Sequence, residues 1–480
     1  MVNMEKDGQK PHAIFIAYPL QGHVIPSVNL ALKLASKGFT ITFINTECVQ
    51  HKTSKARGGG DGDDHDYFAG ARKAGLDIRY KTISDGLPVE FDRSLNHDQF
   101  MNSLLHVFSA HVEILVGKIV KSEPSVTCLI ADTYFVWPST IAKKFGLLYV
   151  SFWTEPALVF SIYYHLHLLK TNCHFACHDK REDPIDYIPG VSSIELTDLT
   201  SYLQDTDIST VCHQIIYKAF DQAKVADFVI SNSVQELEPN VISALQVEKP
   251  FYTVGPIFST KSLVATSLWS ESDCNHWLNT KPDGSVLYVS FGSYAHVSKE
   301  EIVEIAKGIQ LSNANIVWVV RPDIVSSDEV DPLPDGFREE MGERGLIVQW
   351  CRQMEVLKHP AVGGFLTHCG WNSIMETIWC GVPMLCFPLY TDEFTNRKLV
   401  VDDWMIGMDL CRRKRVTKDG VADNINRLMS GKEGEECRVE IKKVRKALEN
   451  AIAAGGSSDR NLDRFIVDLT NRTAAKPHRI

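Results

Sequence analysis

The apolar run Ala13-Ile14-Phe15-Ile16-Ala17-Tyr18 has no polar alternation. That pattern predicts a strand buried on both faces of a parallel sheet. Pro19–Gly22 predicts a turn. Val24–Ser36 predicts a helix, with Val28, Leu32 and Ala35 along one side and Gly38 as its C-cap. Phe39–Asn45 is the next strand, which completes a βαβ unit whose right-handed crossover makes the strands parallel. Further strands are predicted over Leu76–Thr82, Val126–Ala131, Leu147–Ser151, Val225–Asn232 and Phe251–Pro256, with helices over Ser103–Val120 and Trp137–Phe145. His51–Tyr67 carries Gly58-Gly59-Gly60 and three aspartates around Gly62, and predicts a surface loop.

Ile257–Trp269 is rich in Ser and Thr, has neither period, and predicts a linker. The α/β rhythm then restarts. Strands are predicted over Ser285–Phe291, Asn315–Arg321, Gly345–Val348, Val362–Thr367 and Met384–Cys386. Helices are predicted over Lys299–Ser312, Met354–Leu357, Asn372–Trp379, Asn396–Trp404, Val421–Leu428, Gly434–Ala453 and Ser457–Leu469. Two such halves imply an α/β protein of two doubly wound domains with ligand in the cleft between them.

The length of 480 residues suits two domains. A formal charge of −10, from 50 basic and 60 acidic residues, argues against non-specific nucleic-acid binding, which needs a basic footprint. The polar start, Met1–Pro11, predicts no secretory signal, and the lack of a long uncharged apolar stretch predicts no membrane span. Twelve cysteines without a signal predict reduced thiols and a cytoplasmic location.

Three motifs carry candidate chemistry. Gln21-Gly22-His23 follows the first strand, at the edge where doubly wound sheets collect ligands. A histidine there can take a proton from a hydroxyl, or can simply belong to a helix start. Asp132 ends another strand; it can hold the His23 Nδ1–H or cap the next helix. The longest motif runs through Trp350-Cys351-Arg352-Gln353, then His359 to Ser373, then Glu376, Gly381-Val382-Pro383 and Asp392-Glu393. In it a strand, a turn at His368–Gly370 and a helix opening near Asn372 form an anion site, with Asn372 and Ser373 as added donors. Trp350 offers a flat face for a nucleobase, Glu376 can accept bonds from ribose hydroxyls, and Gly292-Ser293 can reach the same phosphate. Taken singly, each residue also fits an ordinary strand–turn–helix unit.

Taken together, the 44 positions from Trp350 to Glu393 resemble the signature box of plant family 1 UDP-sugar glycosyltransferases of secondary metabolism. The likeness extends to His23, Asp132, Tyr252–Pro256, Tyr288–Ser293 and Leu333–Phe337. It implies the GT-B architecture, two Rossmann-like domains facing across a cleft, with the last helix crossing back. The expected organisation is then residues 1–256 for the acceptor, 257–269 as linker, 270–455 for the UDP-sugar, and 456–480 as the returning helix.

The resemblance also implies roles. His23 is the general base and Asp132 its partner. Trp350 stacks on uracil, and the Cys351 backbone bonds the base edge. Gln353 and Glu376 hold ribose. His368, Asn372, Ser373 and Ser293 hold the diphosphate, and Trp371 and Asp392 touch the sugar. Gly22 joins the donor-binding set beside His23. The UDP-sugar is a co-substrate, so no cofactor and no metal are expected. The partners are that donor and a small hydrophobic acceptor, and the protein is expected to be a monomer. One departure stands out: the family's box usually closes on Gln, where this chain has Glu393. Glu keeps the acceptor oxygens, loses the amide donor and adds a charge that disfavours a glucuronate carboxylate.

Three rival readings fit the residues less well. A dinucleotide oxidoreductase lacks a Gly-x-Gly-x-x-Gly after the first strand. A metal site among His165, His167, Cys173, His174, Cys177 and His178 matches no standard spacing. A non-catalytic nucleotide binder of the same fold would lack the base, whereas His23 and Asp132 are both present. Phe15, Leu20, Phe135, Trp137, Phe152, Trp153 and Tyr163 are candidate acceptor-pocket lining or ordinary core.

Overall fold

The computed structural model describes residues 10–56, 67–177, 181–258, 267–325, 331–411 and 415–475. Seven strands form the first sheet: β1 His12–Ile16, β2 Thr40–Thr46, β3 Ile78–Ile83, β4 Val126–Asp132, β5 Leu148–Trp153, β6 Phe228–Ser231 and β7 Phe251–Thr253. Six form the second: β8 Val286–Ser290, β9 Asn315–Val319, β10 Gly345–Val348, β11 Val362–Thr367, β12 Met384–Cys386 and β13 Gly407–Asp409. All pairings are parallel, in the orders β3-β2-β1-β4-β5-β6-β7 and β10-β9-β8-β11-β12-β13. In each sheet the order reverses beside its first strand, which is the place where such sheets open a ligand crevice.

Register fixes what meets there. Ile16 of β1 pairs with Ala131 of β4, so His23 and Asp132 leave the first sheet at one edge. Ser290 of β8 pairs with Thr367 of β11, so Gly292-Ser293 and His368 leave the second sheet side by side. Strands β1, β5, β8 and β12 are buried along their whole length, in keeping with their largely unalternated apolar runs, and β2 is buried throughout although Thr and Asn interrupt its apolar positions.

The returning helix is Ser457–Ala474. Leu462, Phe465, Ile466 and Leu469 enter the core behind the first sheet beside Phe15, Phe228 and Tyr252. Tyr252 Oη donates to Asp468 at 2.6 Å, and Lys37 pairs with Asp463 at 2.7 Å. A separate buried cluster joins the two halves, with Trp153, Val234 and Ile242 from one packing with Trp371, Ile374 and Ile441 from the other.

Several elements differ from the expectation. The first helix spans Gln21–Ser36, so Gly22 and His23 lie in its first turn rather than in a preceding loop. No side chain caps that end, which is why no capping signal marks it. His51–Ala56 belongs to a helix, Glu47–Ala56; the remainder of the predicted loop, 57–66, lies outside the described residues. So do 259–266 of the linker. The helix Ala157–Tyr164 has no amphipathic period because all but its last residue is buried. The helices Val211–Val225 and Pro239–Glu248 and the short strand β13 were also not anticipated.

Among the described residues one helix, His97–Ser122, is long and apolar enough by length and composition to cross a membrane. It is continuous through a π-helical turn at Leu104–Phe108. Phe100, Leu104, Phe108, Val112, Val116 and Ile119 pack it against Ile14, Leu129 and Ala131 of the first sheet, as a core helix does.

Candidate active site

At the edge of the first sheet, His23 Nδ1 lies 2.8 Å from Asp132 Oδ2. The Asp132 side chain is 1% exposed and that of His23 13%. The other carboxylate oxygen, Oδ1, accepts the Tyr134 backbone N–H at 3.0 Å. A carboxylate held at both oxygens fixes the imidazole's tautomer, with Nδ1–H donated and Nε2 left as the acceptor. Among the described residues Nε2 has no hydrogen-bond partner. The chain after β5 brings Thr154 Oγ1 to 3.0 Å from the same Nδ1, and the rings of Tyr18 and Tyr134 flank the imidazole at 5.4 and 5.5 Å. Thr154, Tyr18 and Tyr134 were not singled out from sequence; their positions next to two strand ends were the available signal.

The second half brings together Gln353, Ser373, Glu376 and Tyr288. Gln353 Nε2 donates to Ser373 Oγ at 3.0 Å and to Glu376 Oε2 at 2.8 Å, while its Oε1 accepts from Tyr288 Oη at 3.3 Å. Burial lifts the Glu376 carboxyl to about 7, and the Gln353 donor pulls it back down. Cys351 is buried beneath Tyr288, with its Sγ 3.6 Å from Oη. Trp350 stacks against Trp269, centroids 6.1 Å apart and planes at 26°.

The turn between β11 and the helix Trp371–Cys380 is built around His368. Its ring is wedged between Gly292 and Gly370, where any Cβ would collide with it. Gly292 also has φ +73°, a conformation that only glycine adopts freely. Arg321, 1% exposed, holds the loop containing Gly292 and Ser293 through the Gly292 carbonyl and the Ala295 carbonyl, the latter at 2.7 Å. Burial and the nearby Arg321 charge hold the His368 ring down to about 4, so it is neutral at pH 7. Gly370 caps the helix Trp371–Cys380 without any side-chain bond, leaving first-turn N–H groups for an anion.

Asp392 and Glu393 open the helix Glu393–Lys398 and are both buried. Asp392 accepts from Thr391 Oγ1 at 2.7 Å and Asn396 Nδ2 at 2.6 Å, and the His23 charge is among those that bear on it. Glu393 Oε2 accepts the backbone N–H groups of Leu389 and Tyr390 at 2.7 and 2.8 Å, and Oε1 faces His368 Nε2 at 3.8 Å. Burial first, then the Asp392 charge, pushes the Glu393 carboxyl well above its ordinary range. Facing a neutral His368, it forms no strong ion pair. Trp371 is 3% exposed, and its indole N–H donates to the Asn232 carbonyl at 2.8 Å, so it helps to join the two halves.

One bond crosses the cleft at the reaction edge. Asn372 Nδ2 donates to the Gly22 carbonyl at 2.7 Å. That carbonyl is available because its helical partner four residues on is Pro26, which has no N–H. Of the residues expected to be acceptor lining or ordinary core, Phe15, Phe135, Trp137, Phe152, Trp153 and Tyr163 are buried in core clusters, and Leu20 is partly buried. Among the described residues no group of three His, Cys, Asp or Glu side chains is placed to hold a metal ion. His165 bonds the Ser161 carbonyl and His174 bonds Tyr187 Oη, while His178 lies outside the described residues.

Residues 267–446 match the family UDP-glucoronosyl and UDP-glucosyl transferase. UDP-glycosyltransferase 86A1 of Arabidopsis thaliana is 57% identical over 98% of this chain and 96% of its own. A 7-deoxyloganetin glucosyltransferase of Gardenia jasminoides is 35% identical over 97% of this chain and 98% of its own. The solved structure of Medicago truncatula UGT71G1 complexed with UDP-glucose superposes with a TM-score of 0.80 at 25% identity, covering 96% of this chain and 98% of that one. Two facing Rossmann-like sheets, the box around His368 and whole-length relatives of this closeness agree: the chain belongs to the plant family 1 UDP-glycosyltransferases, GT-B enzymes that move a sugar from a UDP-sugar co-substrate to an acceptor.

Proposed function

We propose that the enzyme transfers glucose, with inversion, from UDP-glucose to a hydroxyl of a small hydrophobic plant metabolite such as a flavonoid, another phenolic or a terpenoid. The observation that carries the reading is the His23–Asp132 pair at 2.8 Å with Nε2 unbonded. His23 Nε2 takes the acceptor's proton, and Asp132 stabilises the imidazolium that forms. The oxygen so generated attacks the anomeric carbon from the face opposite UDP. The carbon–oxygen bond to the diphosphate breaks in the same displacement, and its charge falls on the N–H groups opening the helix Trp371–Cys380, with Ser293 and Ser373 beside it. Trp350 and the Cys351 backbone take uracil, Gln353 and Glu376 the ribose, and His368 and Asn372 the diphosphate.

Asp392 and Glu393 are the sugar-side groups. Two buried carboxyls suit hydroxyls and disfavour a uronate, which supports glucose over glucuronate. The Gardenia jasminoides relative, a glucosyltransferase by name, supports the same donor. Twelve free cysteines suit a reducing cytoplasm.

The test is His23→Ala. Turnover should fall by at least about 10² while UDP binds nearly as before. Equal loss of turnover and UDP affinity would make His23 a structural residue. Nucleotide binding by the unmutated protein, with no UDP release on a broad phenol and alcohol panel, would favour a non-catalytic binder.

A further inference from the structure

Tyr134 touches the reaction centre in three ways. Its backbone N–H donates to Asp132 Oδ1 at 3.0 Å, on the carboxylate whose other oxygen holds His23. Its ring meets the His23 ring nearly edge-on, with centroids 5.5 Å apart and planes at 70°. Its hydroxyl donates to both oxygens of Glu155, at 3.1 and 3.2 Å. Glu155 in turn follows Thr154, whose Oγ1 is 3.0 Å from His23 Nδ1. The segments leaving β4 and β5 therefore both reach the imidazole, and the Tyr134–Glu155 bond ties one to the other.

Glu155 is 8% exposed, and among the described residues no lysine or arginine forms an ion pair with it. Burial, then the facing Asp392, pushes its carboxyl well above the ordinary range, and the Tyr134 hydroxyl acts against this. Burying an acid without a cation does not stabilise a fold. Packing alone thus gives no reason for an acid at this point, whereas a hydrogen-bonding duty toward Tyr134 does.

We propose that Tyr134 and Glu155 form a positioning pair for the catalytic imidazole: Glu155 fixes the Tyr134 hydroxyl, and Tyr134 fixes both the edge of the His23 ring and the orientation of Asp132. This rests on His23 being the base. Displacing a reacting group by even about 1 Å can cost up to about 10²-fold in rate, so a loosened imidazole lowers turnover without loosening the nucleotide.

The experiment compares Tyr134→Phe, Glu155→Ala, their double variant and Glu155→Gln, using UDP-glucose and a phenol that the unmutated enzyme turns over. Tyr134→Phe and Glu155→Ala should each lower kcat about tenfold, with the KM for UDP-glucose and the Kd for UDP within about twofold. The double variant should be no worse than the poorer single one, because both remove one bond. Glu155→Gln keeps an acceptor oxygen for the hydroxyl and should recover kcat to within about threefold. Unchanged kcat in both single variants, multiplied losses in the double, or a raised donor KM at constant kcat would each overturn the proposal. His23→Ala, run alongside, separates the two readings. Full turnover there sinks the base itself, whereas its expected loss beside fully active pair variants sinks only the positioning pair. The UDP Kd verifies that each variant is folded.

Discussion

Glu393 stands where the resemblance of the box leads one to expect Gln, and its geometry bears on what the acid does there. Its Oε2 ties the amides of Leu389 and Tyr390, a task that the carbonyl of glutamine performs equally well. Glu393→Gln should therefore fold normally and add an amide donor on the sugar side. A KM for UDP-glucose lowered by about threefold or more, with kcat held, is the expected result, and steady-state donor kinetics check it. Glu376 gives a second handle. Its folded-state value of about 7 lies above the ordinary 4.5, so it contributes stability that is complete below about 4.5 and is lost as pH rises through about 7. The effect is at most about 3 kcal/mol. Melting curves of the unmutated protein should thus fall relative to Glu376→Gln between pH 5 and 8; parallel curves would show that burial does not shift this carboxyl.

Elements, more than single side chains, bring the two halves of the chemistry together. Pro26 sits inside the first helix and leaves the Gly22 carbonyl for Asn372 across the cleft. Pro26→Ala restores an N–H at that position, so the helix closes on itself and competes for the carbonyl. The helix should gain stability while the donor KM rises several-fold; an unchanged KM would mean that the Gly22–Asn372 bond does not shape the donor site. Much of this arrangement was legible in the chain. The bounds predicted for β11 and β12 coincide with the observed ones, β12 being a short apolar run that begins right after Pro383. The helix Ala157–Tyr164 was not legible, because a helix buried all round has no period to detect. The start of the first helix was missed because Leu20 caps it without a side-chain bond. At the site, His23, Asp132, Gln353 and Glu376 could be named because strand ends and the box marked them. Thr154, Tyr134 and Trp269 come together only through tertiary packing, which no local spacing encodes.

At the scale of the whole molecule, the two sheets present their switch points to one cleft, and a shared core around Trp371 and Ile374 keeps them facing. The returning helix, through Phe465 and Leu469, clamps the end of the chain onto the first domain. In the proposed mechanism, that arrangement lets a base from one half act on a sugar held by the other. The most direct test of this division of labour uses phenol acceptors whose own pKa values run from about 7 to about 10, assayed with the unmutated enzyme and with His23→Ala. If the imidazole removes the acceptor's proton, the loss caused by the mutation is largest, at about 10² or more, for the least acidic phenol, and shrinks toward nothing for one already ionised at the assay pH. A loss of the same size across the whole series would contradict the account, because the imidazole would then be doing something other than taking that proton.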